Sequence, residues 1–164
     1  MSNKNISVPP SAAALSQALR GIGYCFESAV ADLIDNSISA GATEVAITYS
    51  PQTDLSESWL SIKDNGAGLT KDELIQAMRI GSASPLATRN SRDLGRFGLG
   101  LKSASFSQCR KLTVASKKNN FTSAFSWDLD NLGISDEWNL EEISEYRNEK
   151  RLETLDKYLI EHFH

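Results

Sequence analysis

Two stretches crowd glycine beside charged residues: "KDNGAGL" at 63–69 and "DLGRFGLGLKSAS" at 93–105. They hold five of the chain's ten glycines, at 66, 68, 95, 98 and 100. Glycine is costly in ordered backbone and is kept where φ is positive or where a backbone must come very close to something. Any fold for this chain therefore has to place two glycine-lined loops beside Asp64 and Lys102. What they approach is the functional question.

The surrounding pattern frames those loops with regular structure. Residues 1–10 read as a flexible arm. Ser11 opens a short helix, "SAAALSQALR", which stops near Gly21 and Gly23. In a second helix, "CFESAVADLIDNSISAG", Phe26, Ala29, Val30, Leu33 and Ile34 recur at helical spacing as one apolar face, and Gly41 is its natural end. The β-branched run "TEVAITY" (43–49) and "WLSIKD" (59–64) predict strands around the turn "PQTDLSES". "TKDELIQAM" (70–78) starts a helix with a capping box, Thr70 and Glu73.

The stretch 81–96 has no apolar period and carries Pro85, which predicts a long mobile loop. A helix over "FGLGLKSASFSQ" follows, then strands 111–116 and 121–127 around a "KKNN" turn. Residues 128–164 are charged and read as helical, with Tyr146, Leu152, Leu155, Tyr158 and Leu159 on one face. Helices followed by strands close in sequence predict an α/β (α+β) two-layer sandwich, a mixed or antiparallel sheet with helices on one face. The domain is expected over 11–127, with 128–164 as a separate charged segment.

Composition excludes some classes. The 164 residues suit one domain. A net charge of −4 gives no whole-chain footprint for nucleic acid. Cys25 and Cys109 lack a CxxC partner and read as two free, buried thiols. No apolar run reaches the ~18 residues of a membrane span, and the polar start "MSNKNISVPP" is not a signal peptide. A cytoplasmic protein with no membrane partner is expected. Trp59, Trp127 and Trp138 read as packing residues, and His162 and His164 as a chain end rather than a metal site.

Asp32 and Asn36 lie four apart on the second helix and share a face, with Asp35 and Ser39 on a neighbouring strip. Alone, that is an ordinary solvated face. Beside it, an amide oxygen and a carboxylate are hard ligands suited to Mg²⁺. Asp64 at a strand end can accept a hydrogen bond from an exocyclic amine. Gly95, Gly98 and Gly100 precede a helix, whose bare N–H groups favour phosphate. The spacing is neither the dinucleotide fingerprint nor a P-loop. Arg79, Arg89, Arg92 and Arg96 gather near the same loop, either as solvated charges or as phosphate or partner contacts.

The three strings "ADLIDNSISAGAT" (31–43), "DNGAGL" (64–69) and "DLGRFGLGLKSAS" (93–105) resemble the ordered boxes of the GHKL ATPases, in particular MutL and the MORC-type ATPases. The resemblance covers roughly residues 11–127 and implies a Bergerat fold that binds ATP with Mg²⁺. Carried over, Asn36 would hold Mg²⁺ and Asp64 would read adenine. Gly66 and Gly68 would shape the floor of the adenine pocket, and Ser39, Ala40, Leu69 and Met78 would also bind the nucleotide. Residues 81–97 would form a lid, entered through Gly81 and Ser82. Gly98, Gly100, Leu101 and Lys102 would cradle phosphate, and Gly95, Arg96, Phe97 and Leu99 would also bind the nucleotide. Asp32 would be the general base.

This sequence departs from the family twice. The base position holds Asp32, one methylene shorter than the family's usual glutamate, which implies slow hydrolysis. No Gly-Thr follows residue 127, where the family carries one near adenine, so the chain is expected to be a piece of a longer protein. In the families resembled, ATP closes the lid and drives a homodimeric clamp on DNA, which implies repair or defence. A nucleotide sensor without turnover and a histidine-kinase-like phosphotransfer domain are the alternatives.

Overall fold

The computed structural model describes residues 6–8, 10–21, 23–50, 58–81 and 100–144. Among them, α1 (Ala12–Arg20) and α2 (Phe26–Ser39) precede an antiparallel pair, β1 (Val45–Ser50) and β2 (Trp59–Asp64). Next come α3 (Lys71–Met78) and α4 (Gly100–Gln108). The hairpin β3 (Lys111–Lys118) and β4 (Phe121–Asp128), the helix α5 (Leu129–Ser135) and the short β5 (Glu141–Glu142) complete the order. The fold is α+β, with two antiparallel sheets, β1-β2 and β3-β4-β5.

Local chemistry explains the elements. Ser11 caps α1 by accepting from the Ala14 N–H at 3.1 Å. Thr70 and Glu73 form the reciprocal capping box that opens α3. Gly41 follows α2 at φ +76°, the left-handed conformation that lets the chain turn back. Its N–H donates to the Ile38 carbonyl at 2.9 Å.

The hairpin turn differs from expectation. Lys117 and Lys118 remain in β3, and only Asn119 and Asn120 turn, at φ 52° and 65°. Asparagine tolerates that region, and a two-residue turn with positive φ matches strand twist. The tail differs too. Asp128 caps α5, and Glu141–Glu142 pair with β4 rather than starting a helix. The helical face expected beyond Glu145, including Tyr146 and Leu152, lies outside the described residues, as do His162 and His164.

Leu60, Leu74, Met78, Phe106, Leu112, Phe125, Trp127, Leu129 and Leu132 share one core. Each such side chain contributes about 1.5–3 kcal/mol by leaving water. Leu129 and Leu132 come from the segment set apart by composition, so packing continues past residue 127. Trp138 joins it edge-on to Trp127, with ring centroids 5.9 Å apart.

Two polar ties fix the helices that matter for the site. Arg20 donates to the carbonyls of Phe106 and Cys109 at 3.1 and 2.9 Å, placing a cation at the C-terminal end of α4. α2 packs on α4. The apolar face of α2 buries Ala29 and half-buries Val30 and Leu33, whereas Phe26 is 43% exposed at the helix start. Cys109 is buried, but Cys25 is exposed, because it is the N-cap of α2 and lies against the Ser28 hydroxyl at the helix start.

Candidate functional site

β2 delivers Asp64 to the point where the C-terminal end of α2 meets the 64–68 loop. The Ser37 hydroxyl of α2 donates to Asp64 Oδ2 at 3.0 Å, and the Gly66 N–H donates to Oδ1 at 2.8 Å. The carboxylate is thus held by two donors yet remains exposed. Each oxygen retains acceptor capacity.

The loop itself is stitched to the helix end. Asn65 Oδ1 accepts from the N–H groups of Thr43 and Glu44 at 2.9 and 3.0 Å, and its Nδ2 donates to Thr43 Oγ1 at 2.9 Å. The Ala67 N–H donates to the Ala40 carbonyl at 3.0 Å. Asn36, Ser39 and Ala40 are exposed on the adjoining end of α2. Asn36, Ser39, Ala40, Asp64 and Gly66 therefore occupy one neighbourhood.

The two loop glycines have causes inside the protein. A Cβ on Gly66 would stand 2.9 Å from both the Ala40 Cβ and Asp64 Oδ1. Gly68 has φ +64°, and a Cβ there would stand 2.1 Å from the Lys117 carbonyl oxygen. The loop runs so close over β3 that the next N–H, of Leu69, donates to Ser116 Oγ at 2.7 Å.

Asp32 is half-buried one turn before the exposed Asn36. The neighbouring Asp32 side chain, then burial, push the Tyr24 phenol up. Lys102 is buried, and its ammonium donates to the Ala77 carbonyl at 2.7 Å in the last turn of α3. Burial lowers it to about 8. Met78 is buried in the core, and its carbonyl accepts from Trp127 Nε1 at 3.0 Å. Leu69 is half-buried, and Gly81 is exposed at φ +71°. Gly100 and Leu101 form the first turn of α4. Ser82, Gly95, Arg96, Phe97, Gly98 and Leu99 lie outside the described residues, as do Arg89, Arg92 and nearly all of the expected lid.

Ser37, Asn65 and Tyr24 were not singled out from sequence. A serine in the last turn of a helix, beside Asn36, is a signal, because such residues usually face water or bond locally. Asn65 sits in an Asp-Asn-Gly run whose turn chemistry suggests a backbone-binding side chain. Tyr24 gave no local signal.

The donor set fits a nucleotide with Mg²⁺. Among the described residues no group of three His, Cys, Asp or Glu side chains gathers to hold a metal. The amide oxygen of Asn36 is a hard donor open to solvent, suited to an ion that takes its remaining ligands from phosphate and water. Another groove of about 670 Å³, lined by Lys71, Lys118, Phe121 and Glu142 among others, contains none of the proposed catalytic or metal residues.

A family model described as "Histidine kinase-, DNA gyrase B-, and HSP90-like ATPase" matches residues 24–161. The chain belongs to the GHKL ATPase family. ATPase morc-1 of Caenorhabditis elegans is 32% identical over 97 residues, covering 59% of this chain and 11% of that protein. Chaperone protein HtpG of Rickettsia canadensis is 30% identical over 142 residues, covering 80% and 21%. DNA mismatch repair protein MutL of Shewanella frigidimarina is 37% identical over 92 residues, covering 55% and 14%. The GHKL chain described here spans between 11% and 21% of the length of these three relatives. Among its described residues, no helix is long and apolar enough to cross a membrane.

Proposed function

We propose that this chain binds ATP with Mg²⁺ and hydrolyses it slowly. The observation that carries this reading is Asp64, an exposed carboxylate fixed by Ser37 and the Gly66 N–H at the end of the helix that bears Asp32 and Asn36. Such an acceptor suits an exocyclic amine on a flat base. Asn36 would hold Mg²⁺, which supplies charge neutralisation at the phosphates. The N–H groups at the start of α4, from Gly100 and Leu101, favour the anionic end of the ligand. Asp32 takes the proton of the attacking water at its carboxylate, and its short side chain keeps the rate low.

Turnover by the isolated chain, followed with γ-labelled ATP, tests this reading. Slow phosphate release that falls by about 100-fold in Asp32→Asn supports it. Binding without turnover favours a nucleotide sensor instead, a reading motivated by the shortness of Asp32. Label retained on a side chain points to phosphotransfer.

A relative named for DNA mismatch repair supports placing the domain in a DNA-linked machine, where ATP pairs two copies. Sedimentation with a non-hydrolysable analogue checks that pairing. A mass that stays at 18.0 kDa contradicts it for this chain. The site faces water, and a cytoplasmic location fits an ATP-driven machine.

A further inference from the structure

We infer that Lys102 is a positioning residue for the phosphate end of the site: its ammonium closes the C-terminal end of α3 and so fixes the first turn of α4. This rests on the reading of that turn as the place where phosphate is met. Lys102 is the third residue of α4 and is only 2% exposed. Its ammonium donates to the Ala77 carbonyl, at 2.7 Å, in the last turn of α3.

The end of α3 shows why the charge sits there. A helix leaves its last carbonyls without helical partners. In α3 the last four belong to Ile75, Gln76, Ala77 and Met78. The Arg79 N–H donates to Ile75 and Gln76, at 3.0 and 3.2 Å. Trp127 Nε1 donates to Met78 at 3.0 Å. Lys102 takes Ala77, and its cation suits the negative end of the helix dipole. Burial holds the ammonium below the ordinary lysine range, at about 8.

The tie joins parts of the fold that pack on different neighbours. α3 packs on β4, whereas α4 packs on α1, α2 and β3. α3 starts where the Asp64 loop ends, and its eight residues span about 12 Å. One end of α3 thus follows the residue proposed to read the base, and the other end holds the turn proposed to meet phosphate. Gly100 and Leu101 directly precede Lys102, so holding Lys102 holds their N–H groups in place. Lys102 touches neither phosphate nor metal in this scheme; it acts through the backbone of Gly100 and Leu101.

The sequence supplies a clean probe. Ala77–Met78 is the chain's one Ala-Met pair, so carbonyl-labelled alanine with ¹⁵N-methionine gives a single amide signal that reports the Ala77 carbonyl. Without nucleotide, that signal should move in Lys102→Met. In the parent it should stay in place when a non-hydrolysable ATP analogue with Mg²⁺ saturates the chain. By calorimetry, folded Lys102→Met should bind that analogue about tenfold more weakly. A signal indifferent to Lys102→Met overturns the tie. A signal that the analogue moves as far as the substitution does makes Lys102 a phosphate ligand, and parental affinity in the folded variant makes the tie merely structural; either overturns the inference. Should Lys102→Met not fold, acetylation of the parent decides, read by mass spectrometry. Lys102 should stay unmodified with and without the analogue while the exposed Lys117 reacts, and modification at the rate of Lys117 overturns the inference. A parent that binds no analogue overturns the nucleotide reading and the phosphate role with it, while the tie to Ala77 stands or falls on the nucleotide-free signal.

Discussion

Gly68 and Gly100 meet different surroundings. At Gly68 an added methyl faces both a positive φ and a backbone oxygen at 2.1 Å. The left-handed conformation alone costs an L-residue about 1–2 kcal/mol, and overpacking adds about 1–3 kcal/mol. Gly68→Ala should therefore lower stability by at least about 2 kcal/mol, read as a drop in urea midpoint at unchanged slope. At Gly100 the same methyl meets nothing within 4 Å among the described residues. Alanine is the better helix former by up to about 1 kcal/mol, so Gly100→Ala should hold or raise stability while weakening an ATP analogue. Unchanged affinity would mean that no phosphate comes close to Gly100. The glycine string shows that close approach is needed somewhere. It does not show that Gly66 answers to Ala40 and Gly68 to Lys117, because those neighbours lie far along the chain.

The loop that carries Asp64 runs into α3, and the start of that helix is electrostatically fixed. The Thr70 backbone N–H, then Lys118, hold the Glu73 carboxyl down to about 2, below its ordinary 4.5. Its folded value lies below its unfolded one, so its contribution is complete above 4.5 and fades as pH falls through about 2. Glu73→Gln should thus be less stable than the parent at neutral pH, and the gap should close on acidification across that window. A gap independent of pH, in urea unfolding at several acid values, would contradict the assignment. α3 was readable because Thr70 and Glu73 announce it, and β2 because β-branched and aromatic residues lead straight to Asp64. α5 and β5 were not readable. The buried pair Leu129 and Leu132 sits in an acidic stretch whose composition reads as solvated. Only contacts with α1 and β4 reveal it as core. Asp136 makes the first of those contacts, accepting from the Ser11 hydroxyl and the Ala13 N–H at 2.8 and 2.9 Å.

At the scale of the molecule, residues distant in sequence converge because α2 contacts both α4 and β2. One end of α2 meets Asp64 through Ser37, and the helix also packs on α4. The boxes recognisable in sequence are the parts of this arrangement that face outward. The ties that hold them, Ser37 and Asn65, are single polar residues whose partners are set by packing. This arrangement is proposed to be a nucleotide site. Calorimetry of the purified chain with a non-hydrolysable ATP analogue, with and without Mg²⁺, tests it most directly. Mg²⁺-dependent binding is expected, lost in Asn36→Ala and in Asp64→Asn, with both variants folded. No heat of binding from the folded parent chain, or equal binding by Asp64→Asn, would contradict it.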